Sequence, residues 1–332
     1  NKLLEFPYQV YYTLKDDGGS TLHRLTEKSG DAYNATYVDT ANHVRYAESF
    51  TPAGGTTPYQ DVFFLKAGES AEIALPDNVD EYYVVECGIN PDIYDHVTAN
   101  GDELSGTPTA NGNRLDFATE RLPLSERSQV DYDNHVSEGA MRTLSITKRL
   151  YAEDGNTRLH YTDADPELVD QTTFSFRLYL GNENAADDAI PLADMYVYHV
   201  KDPQGNYCRW DAESQRFVSL GTTGFAALTS DERELASFVT SMNGSISKIP
   251  ADYTVEVRDL IIDSKFKVEE RDYEIPKGYT LRLKDGYTRA DAGRKAKQYN
   301  PISGVIEKDV DPQIQVRNQK GWGLTVKKVW TD

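Results

Sequence analysis

Sulfur-containing residues are scarce in this sequence, which has two cysteines and three methionines among 332 residues. Cys87 and Cys208 fall in different presumed domains, so we expect no disulfide between them. Long hydrophobic runs are also missing, and no segment approaches the roughly 20 apolar residues that a transmembrane helix requires. The sequence therefore predicts no membrane insertion. It also predicts that something other than disulfide bonds stabilises the chain.

Cationic residues are few relative to anionic ones. The sequence has 35 Lys and Arg against 54 Asp and Glu, a formal net charge of −19. This balance excludes nucleic acid as an expected partner, because such binding needs basic patches that neutralise phosphates. The six histidines lack metal-ligand spacing. Neither a nucleophile elbow nor a glycine-rich phosphate loop occurs. We therefore expect no metal, no cofactor and no enzyme that turns over a substrate.

Strand-forming residues are abundant, and tyrosine alone accounts for 22 positions. Aromatic and β-branched residues favour strands. In the segment 173–180, Phe174, Phe176 and Leu178 alternate onto one face, as strand side chains do. One segment, 229–240, has an N-cap candidate followed by acidic residues, which indicates a short helix. The pattern predicts an all-β fold of β-sandwiches with one short helix in the second domain.

The chain length and turn pattern predict tandem domains. We expect the first over residues 1–138 and the second over 141–320, with a short joint that favours a semi-rigid rod. Residues 321–332 repeat the pattern at the start of the second domain, with Lys328 in the place of Lys148. The chain shows neither a signal peptide nor a wall-sorting motif. We therefore interpret it as an internal fragment whose partners include further tandem domains.

An acidic residue and an asparagine recur with the same separation in the two predicted domains. Glu86 precedes Asn134 by 48 residues, and Glu270 precedes Asn318 by 48 residues. Strand alternation places all four side chains on the faces that carry the apolar residues. A buried carboxyl group and a buried carboxamide each need a polar partner. The repeat therefore predicts two equivalent polar sites.

The second domain supplies such a partner in Lys148, which shares a face with Leu144 and Ile146. Burial disfavours charge, so a neutral amine and a protonated Glu270 are expected. The amine is then a nucleophile, and the acid can polarise the Asn318 carbonyl. The expected product is a Lys148–Asn318 amide, formed once per molecule with release of ammonia and without any substrate.

Three short motifs resemble those of CnaB-type and streptococcal-pilin-type isopeptide domains of Gram-positive surface proteins. They are the strand that carries Lys148, Glu270 followed by a Pro-Lys-Gly-Tyr turn at 276–279, and the final Val-Arg-Asn at 316–318. Residues 324–332 (LTVKKVWTD) are similar to the start of another such domain, with Lys328 as its nucleophile. The resemblance implies tandem immunoglobulin-like sandwiches, each with a self-formed amide between its first and last strands.

Two points of the assignment stay open in the sequence. Five residues separate Glu270 from Pro276, so Glu269 and Glu274 are rivals for the acid, although strand phase favours Glu270. In the first domain no lysine occupies a clear first-strand position, and Lys2 is the only upstream candidate.

Two interpretations of the first domain follow. Asn134 forms a cross-link to a lysine that lies before this sequence, with Glu86 as its acid. Alternatively, Glu86 and Asn134 are a hydrogen-bonded polar pair in a sandwich core.

The sequence favours a structural function. We expect a stalk or shaft segment of an extracellular, cell-wall-anchored adhesin or pilin, with the anchor outside this fragment. The alternative is a module that binds a host carbohydrate or matrix protein, in which the lysine and the acid are incidental. A thioester at Cys208 has no convincing glutamine partner motif. A hydrolase has no set of residues to support it.

Overall fold

A computed structural model describes residues 5–26, 35–37, 45–73, 75–125, 128–160, 172–271, 274–281 and 301–321. The chain divides into two compact units. Unit 1 comprises Asn1–Ala140 with Asn182–Asn184, and unit 2 comprises Met141–Gly181 with Ala185–Asp332.

Strands make up nearly all of the regular secondary structure in the described part of unit 1. These are β1 (Glu5–Leu14), β2 (His23–Arg24), β3 (Ala35–Tyr37), β4 (Arg45–Phe50), β5 (Tyr59–Lys66), β6 (Ala71–Ile73), β7 (Val79–Ile89), β8 (Tyr94–Ala99), β9 (Asp102–Glu103), β10 (Thr107–Pro108), β11 (Leu115–Ala118), β12 (Leu122–Pro123) and β13 (Tyr132–Val136). Two short 3-10 helices, Lys15–Asp17 and Glu138–Ala140, accompany them.

The strands of unit 1 form a large sheet and a small sheet. The large sheet has the order β10-β11-β7-β1-β5-β4, with β2 paired to β1 and β12 paired to β7. The small sheet has the order β13-β8-β9, and β3 and β6 form a separate pair. All the pairings of β1 are antiparallel, and in one of them Tyr8 on β1 lies directly opposite Glu86 on β7.

The core of unit 1 lies between these layers. Val10, Leu25 and Phe63 form one buried cluster, and tyrosines dominate a second cluster beside it. Tyr132 of the small sheet donates a hydrogen bond from its hydroxyl to the Val84 carbonyl of the large sheet, at 2.8 Å. Tyrosine suits this position because its ring packs against apolar residues while its hydroxyl satisfies a buried carbonyl. The two sheets therefore form a sandwich that is joined by polar as well as apolar contacts.

Unit 2 is also built from strands in its described part. These are β14 (Met141–Tyr151), β15 (Arg158–Leu159), β16 (Thr173–Gly181), β17 (Val197–Lys201), β18 (Cys208–Asp211), β19 (Arg216–Ser219), β20 (Phe238–Val239), β21 (Ser245–Pro250), β22 (Thr254–Ile261), β23 (Lys265–Glu269), β24 (Tyr279–Leu281), β25 (Ile302–Val305) and β26 (Gln313–Lys320). A 3-10 turn covers Phe225–Ala227.

Two sheets of unit 2 face each other. One has the order β20-β17-β22-β14-β26-β24, with β15 paired to β14, and the other has the order β21-β16-β23-β25. A further hairpin joins β18 and β19. Leu150 of the first sheet packs with Phe174 of the second in one buried cluster. The alternation of apolar residues in β14 and β16 therefore generates the two inner faces of a sandwich.

One α-helix, α1 (Ser230–Leu235), occurs among the residues that the structure describes. Thr229 caps it, and Glu232 completes a reciprocal capping box. The helix is shorter than the segment 229–240 expected from the sequence, because the chain enters strand β20 at Phe238. The predicted all-β fold with one short helix in the second half is confirmed.

Neither cysteine is paired in the structure, and both Cys87 and Cys208 are buried. In the described ranges, no helix has the length and apolar character needed to cross a membrane.

Candidate functional site

Strands β14 and β26 bring a lysine and an asparagine side by side in unit 2. The two strands are parallel neighbours, with Lys148 paired to Val316 and Leu150 paired to Asn318. Both strands alternate in burial, as the sequence pattern predicts. Lys148 and Asn318 occupy inward positions and are both 0% exposed.

Glu270 completes the group from the opposite sheet. It directly follows β23, continues the inward phase of Phe266 and Val268, and is 2% exposed. Its Oε1 atom lies 2.5 Å from the Lys148 Nζ atom. The same Nζ atom also contacts Asn318 Oδ1. The structure thus brings together the three side chains that the sequence analysis grouped.

The two rival acids lie against other residues. Glu269 accepts a hydrogen bond from the Tyr179 hydroxyl at 2.8 Å. Glu274 forms an ion pair with Arg177 at 3.0 Å. Strand phase explains the difference for Glu269, because neighbouring positions of a strand point to opposite faces. Of the three carboxylates, Glu270 is the one that lies beside Lys148.

The surroundings of Lys148 favour its neutral form. Burial lowers the pKa of Lys148, and the nearby Glu270 carboxylate raises it by a smaller amount. The Phe174 ring lies 4.2 Å from the Nζ atom, and Tyr279 packs edge-on against that ring. The Phe174 ring therefore covers the amine with apolar surface, and Tyr279 supports that ring through its edge-on contact. The site therefore weakens the hydration that normally keeps a lysine protonated.

Strand β24 orients the carboxamide of Asn318. The Asn318 Nδ2 atom donates a 3.4 Å hydrogen bond to the Thr280 carbonyl, and its Oδ1 atom contacts the lysine. β24 reaches this place through a turn in which Gly278 adopts a φ of 90°, a conformation that favours glycine. The Pro-Lys-Gly-Tyr turn noted in the sequence therefore helps to fix which end of the carboxamide faces the amine.

Unit 1 contains a related polar group around Glu86, which is 0% exposed. The Glu86 Oε1 atom accepts hydrogen bonds from the Tyr8 hydroxyl at 2.8 Å and from Asn134 Nδ2 at 2.7 Å. Desolvation raises the pKa of Glu86 to about 7, although the two hydrogen bonds oppose that shift. The predicted acid and asparagine therefore meet in unit 1 as well, but the third member of the group is a tyrosine.

The two sites differ in how the sheets supply their members, although the acid–asparagine spacing is equal. In unit 2 the lysine and the asparagine share a sheet, and Glu270 faces them from the other sheet. In unit 1 Tyr8 and Glu86 are neighbours in one sheet, and Asn134 faces them from the other. The expectation of one repeated layout is thus wrong in its details, because side chains from different sheets can converge on one interior point.

Tyr8 was not singled out from the sequence. The sequence feature that could have identified Tyr8 is strand alternation, which places it on the same face of β1 as Phe6, Val10 and Tyr12. The contact with Glu86 depends on the pairing of β1 with β7, which are far apart in the sequence. Lys2 and Lys328 lie outside the described residues, so the roles considered for them stay predictions.

Comparisons with known proteins give matches among solved structures alone. No family model matches the chain, and no curated protein matches it. The major pilin T3.2 of Streptococcus pyogenes is 12% identical, with 96% of this chain and 91% of the pilin covered and a TM-score of 0.29.

Two other pilins give similar values. The minor pilin GBS52 of Streptococcus agalactiae is 12% identical, with 99% and 88% covered and a TM-score of 0.23. The shaft pilin spaA of Lactobacillus rhamnosus GG is 9% identical, with 97% and 90% covered and a TM-score of 0.23. At these identities and TM-scores, the similarity assigns no role to any residue of this chain.

Proposed function

We propose that this chain is a shaft or stalk segment of a cell-wall-anchored surface adhesin or pilin of a Gram-positive bacterium. In this proposal a self-formed amide between Lys148 and Asn318 stabilises unit 2. The observation that carries the proposal is the meeting of Lys148, Glu270 and Asn318 in the interior of unit 2, each at most 2% exposed.

The proposed reaction needs one proton relay and no external reagent. Lys148 gives a proton to Glu270 across their 2.5 Å contact and becomes a neutral amine. The amine attacks the Asn318 carboxamide carbon, while the acid polarises the carbonyl oxygen. The C–Nδ2 bond breaks, and Glu270 passes to the departing nitrogen the two protons that the lysine nitrogen loses, so that this nitrogen leaves as an ammonium ion. The net change is one amide bond exchanged for another, so the glutamate is regenerated.

The position of this bond suits a mechanical role. β14 opens unit 2, and β26 is the last of its described strands. An amide between them passes force directly from one to the other. The strands that lie between them in the sequence then carry no load. A cell-surface shaft, which is pulled along its length and exposed to proteases, benefits because local opening cannot spread into full extension.

Intact-mass measurement tests the bond. Wild-type protein should weigh one ammonia less than its sequence mass, and Glu270→Gln should have its full sequence mass. Glu269→Gln is the matched control, because its side chain contacts Tyr179 and not the lysine. Trypsin digestion of the unfolded wild type should release a branched product in which the peptide 143–149 is linked to the peptide 318–320. A folded wild-type protein with its full sequence mass would exclude the proposal.

A second function, binding of a host glycan or matrix protein, is favoured by an open pocket of about 440 Å³ in unit 2. Its lining includes the polar side chains of Arg149, Arg158, Lys201 and Asp252. A concave site with convergent polar groups suits a polar ligand. A glycan or collagen array gives the test. A reproducible ligand that Arg158→Ala no longer binds, but Glu270→Gln still binds, would support this function.

A further inference from the structure

The polar group of unit 1 repeats two of the three chemical components found in unit 2. Glu86 is a fully buried carboxyl group, and Asn134 supplies a carboxamide that contacts it at 2.7 Å. The third position is occupied by the hydroxyl of Tyr8, at 2.8 Å from the same Glu86 oxygen. The Tyr8 hydroxyl and the Asn134 carboxamide therefore both contact one glutamate oxygen, whereas in unit 2 the atom that contacts both of the other groups is the lysine Nζ.

The surroundings of the two groups are also similar. In unit 2 an aromatic ring, Phe174, covers the lysine amine. In unit 1 the ring of Tyr132 packs against the Tyr8 ring, with 5.3 Å between the ring centroids. A lysine side chain and a tyrosine side chain place their polar tips at comparable distances from the backbone. A lysine at position 8 would therefore bring its amine to Glu86 beneath an aromatic ring.

Two buried atoms of this polar group, Glu86 Oε2 and Asn134 Oδ1, have no hydrogen-bond partner among the described residues. A proton on Glu86 Oε2 would allow it to donate to a carbonyl oxygen such as Asn134 Oδ1. The raised pKa of Glu86, about 7, is consistent with such a proton near neutral pH. The acid and the carboxamide thus have the components needed for activation of an acyl group, with no amine among the residues described beside them.

We propose that Tyr8 occupies the nucleophile position of unit 1, so that Tyr8, Glu86 and Asn134 form a hydrogen-bonded group that is not cross-linked. The same group would form an amide if residue 8 were a lysine. This inference uses the chemistry proposed for unit 2, but it concerns other residues and other peptides.

The phenol does not substitute for the amine. Burial and the neighbouring Glu86 raise the pKa of Tyr8 well above its ordinary value, so the hydroxyl stays protonated. An aryl ester is also less stable than the amide from which it would form, whereas a lysine would exchange one amide for another. Tyr8 therefore holds Glu86 in place without reacting.

The decisive experiment is Tyr8→Lys in the full chain, with intact mass as the measurement. We expect this variant to lose one more ammonia than the wild type, and digestion to place the new link between residue 8 and residue 134. The second loss should vanish in Tyr8→Lys/Glu86→Gln and in Tyr8→Lys/Asn134→Ala. Tyr8→Phe is the control without an amine, and its ammonia loss should equal that of the wild type.

Two results would overturn the inference. One is a folded Tyr8→Lys protein with no additional ammonia loss. The other is a wild-type digest in which the peptide carrying Asn134 is joined to another peptide. This second measurement tests whether Asn134 is cross-linked even if Tyr8→Lys does not fold. The link of unit 2 appears in a different pair of peptides from any link to Asn134. The digest therefore shows separately whether the proposed function fails, by loss of the Lys148–Asn318 link, and whether the inference about Tyr8 fails.

Discussion

Lys148 and Asn318 lie on adjacent parallel strands, offset by two positions, and their side chains meet at a point that solvent does not reach. A parallel pair of this kind connects residues separated by 170 positions in the sequence. Most of unit 2 lies between them along the chain. The proposed bond at this point would constrain the unfolded chain strongly, and it would determine how unit 2 responds to heat, mutation and force.

The first prediction concerns the stability of unit 2. Glu270→Gln should abolish the amide while keeping the shape of the side chain. By the chain-entropy estimate used for disulfide loops, losing a link across 170 residues costs about 5 kcal/mol of unfolding free energy. Urea unfolding of the variant and of Glu269→Gln gives the comparison. Equal midpoints for these two proteins would show that Glu270 has no role in stabilising a cross-link.

The second prediction concerns the apolar cover of the amine. Phe174→Leu should slow amide formation, because a smaller side chain leaves room for water beside Nζ and favours the charged lysine. The measurement is the fraction of linked protein against time after refolding of freshly synthesised, unlinked chains.

Phe176→Leu is the matched control for this prediction. Phe176 lies on the same face of the same strand and is also buried, but the lysine amine lies over the ring of Phe174. We expect both variants to lose stability through the smaller core side chain. Equal rates of linking in the two variants would show that the ring over Nζ does not control the reaction.

The third prediction is a pH dependence of unit 1. The pKa of Glu86 is about 7 in the folded protein against an ordinary value of 4.5. At pH values below the ordinary pKa, the carboxyl group of Glu86 is protonated in both the folded and the unfolded protein, so unit 1 keeps its full stability. As pH rises toward 7, the unfolded form releases its proton first, and unit 1 loses stability. The loss amounts to roughly 3 kcal/mol and levels off above the folded pKa.

Hydrogen exchange of β7 and β13, corrected for the intrinsic effect of pH, measures this loss. The titratable groups that interact electrostatically with Glu86 are Tyr8, Tyr94, Tyr132 and Cys87. Burial raises the pKa of each of them, so none is expected to change charge between pH 5 and 8. Glu86→Gln should therefore remove the pH dependence. A slope that persists in this variant would assign the effect to a different group.

Much of the site in unit 2 could be predicted from the sequence. Strand alternation alone fixed the inward phase of Lys148, Glu270 and Asn318, because the period of two is a local property of an extended chain. The same argument separated Glu270 from Glu269. These inferences needed no knowledge of which strands pair, since all three side chains had to point into one interior.

Unit 1 shows where such reasoning ends. The contact between Tyr8 and Glu86 depends on the register between β1 and β7, which tertiary packing sets and which no local pattern reveals. The expected cross-link also required a lysine as the partner of Glu86 and Asn134, so the sequence did not predict a tyrosine in that place. The short helix illustrates a smaller error of the same kind, since pairing of Phe238 with Tyr198 ends it early.

The last prediction concerns stretching of single molecules pulled from both ends. In the wild type, the chain between Lys148 and Asn318 should not extend, because the amide carries the load past it. Unit 1 should extend, because its polar group is joined by hydrogen bonds. In Glu270→Gln, unit 2 should release a further length on the order of 500 Å, given about 3.3 Å for each of 170 extended residues. In Tyr8→Lys, the extension of unit 1 should shrink instead. Identical extension traces for the wild type and Glu270→Gln would show that force in unit 2 passes through its hydrogen-bonded strands and not through a covalent bond.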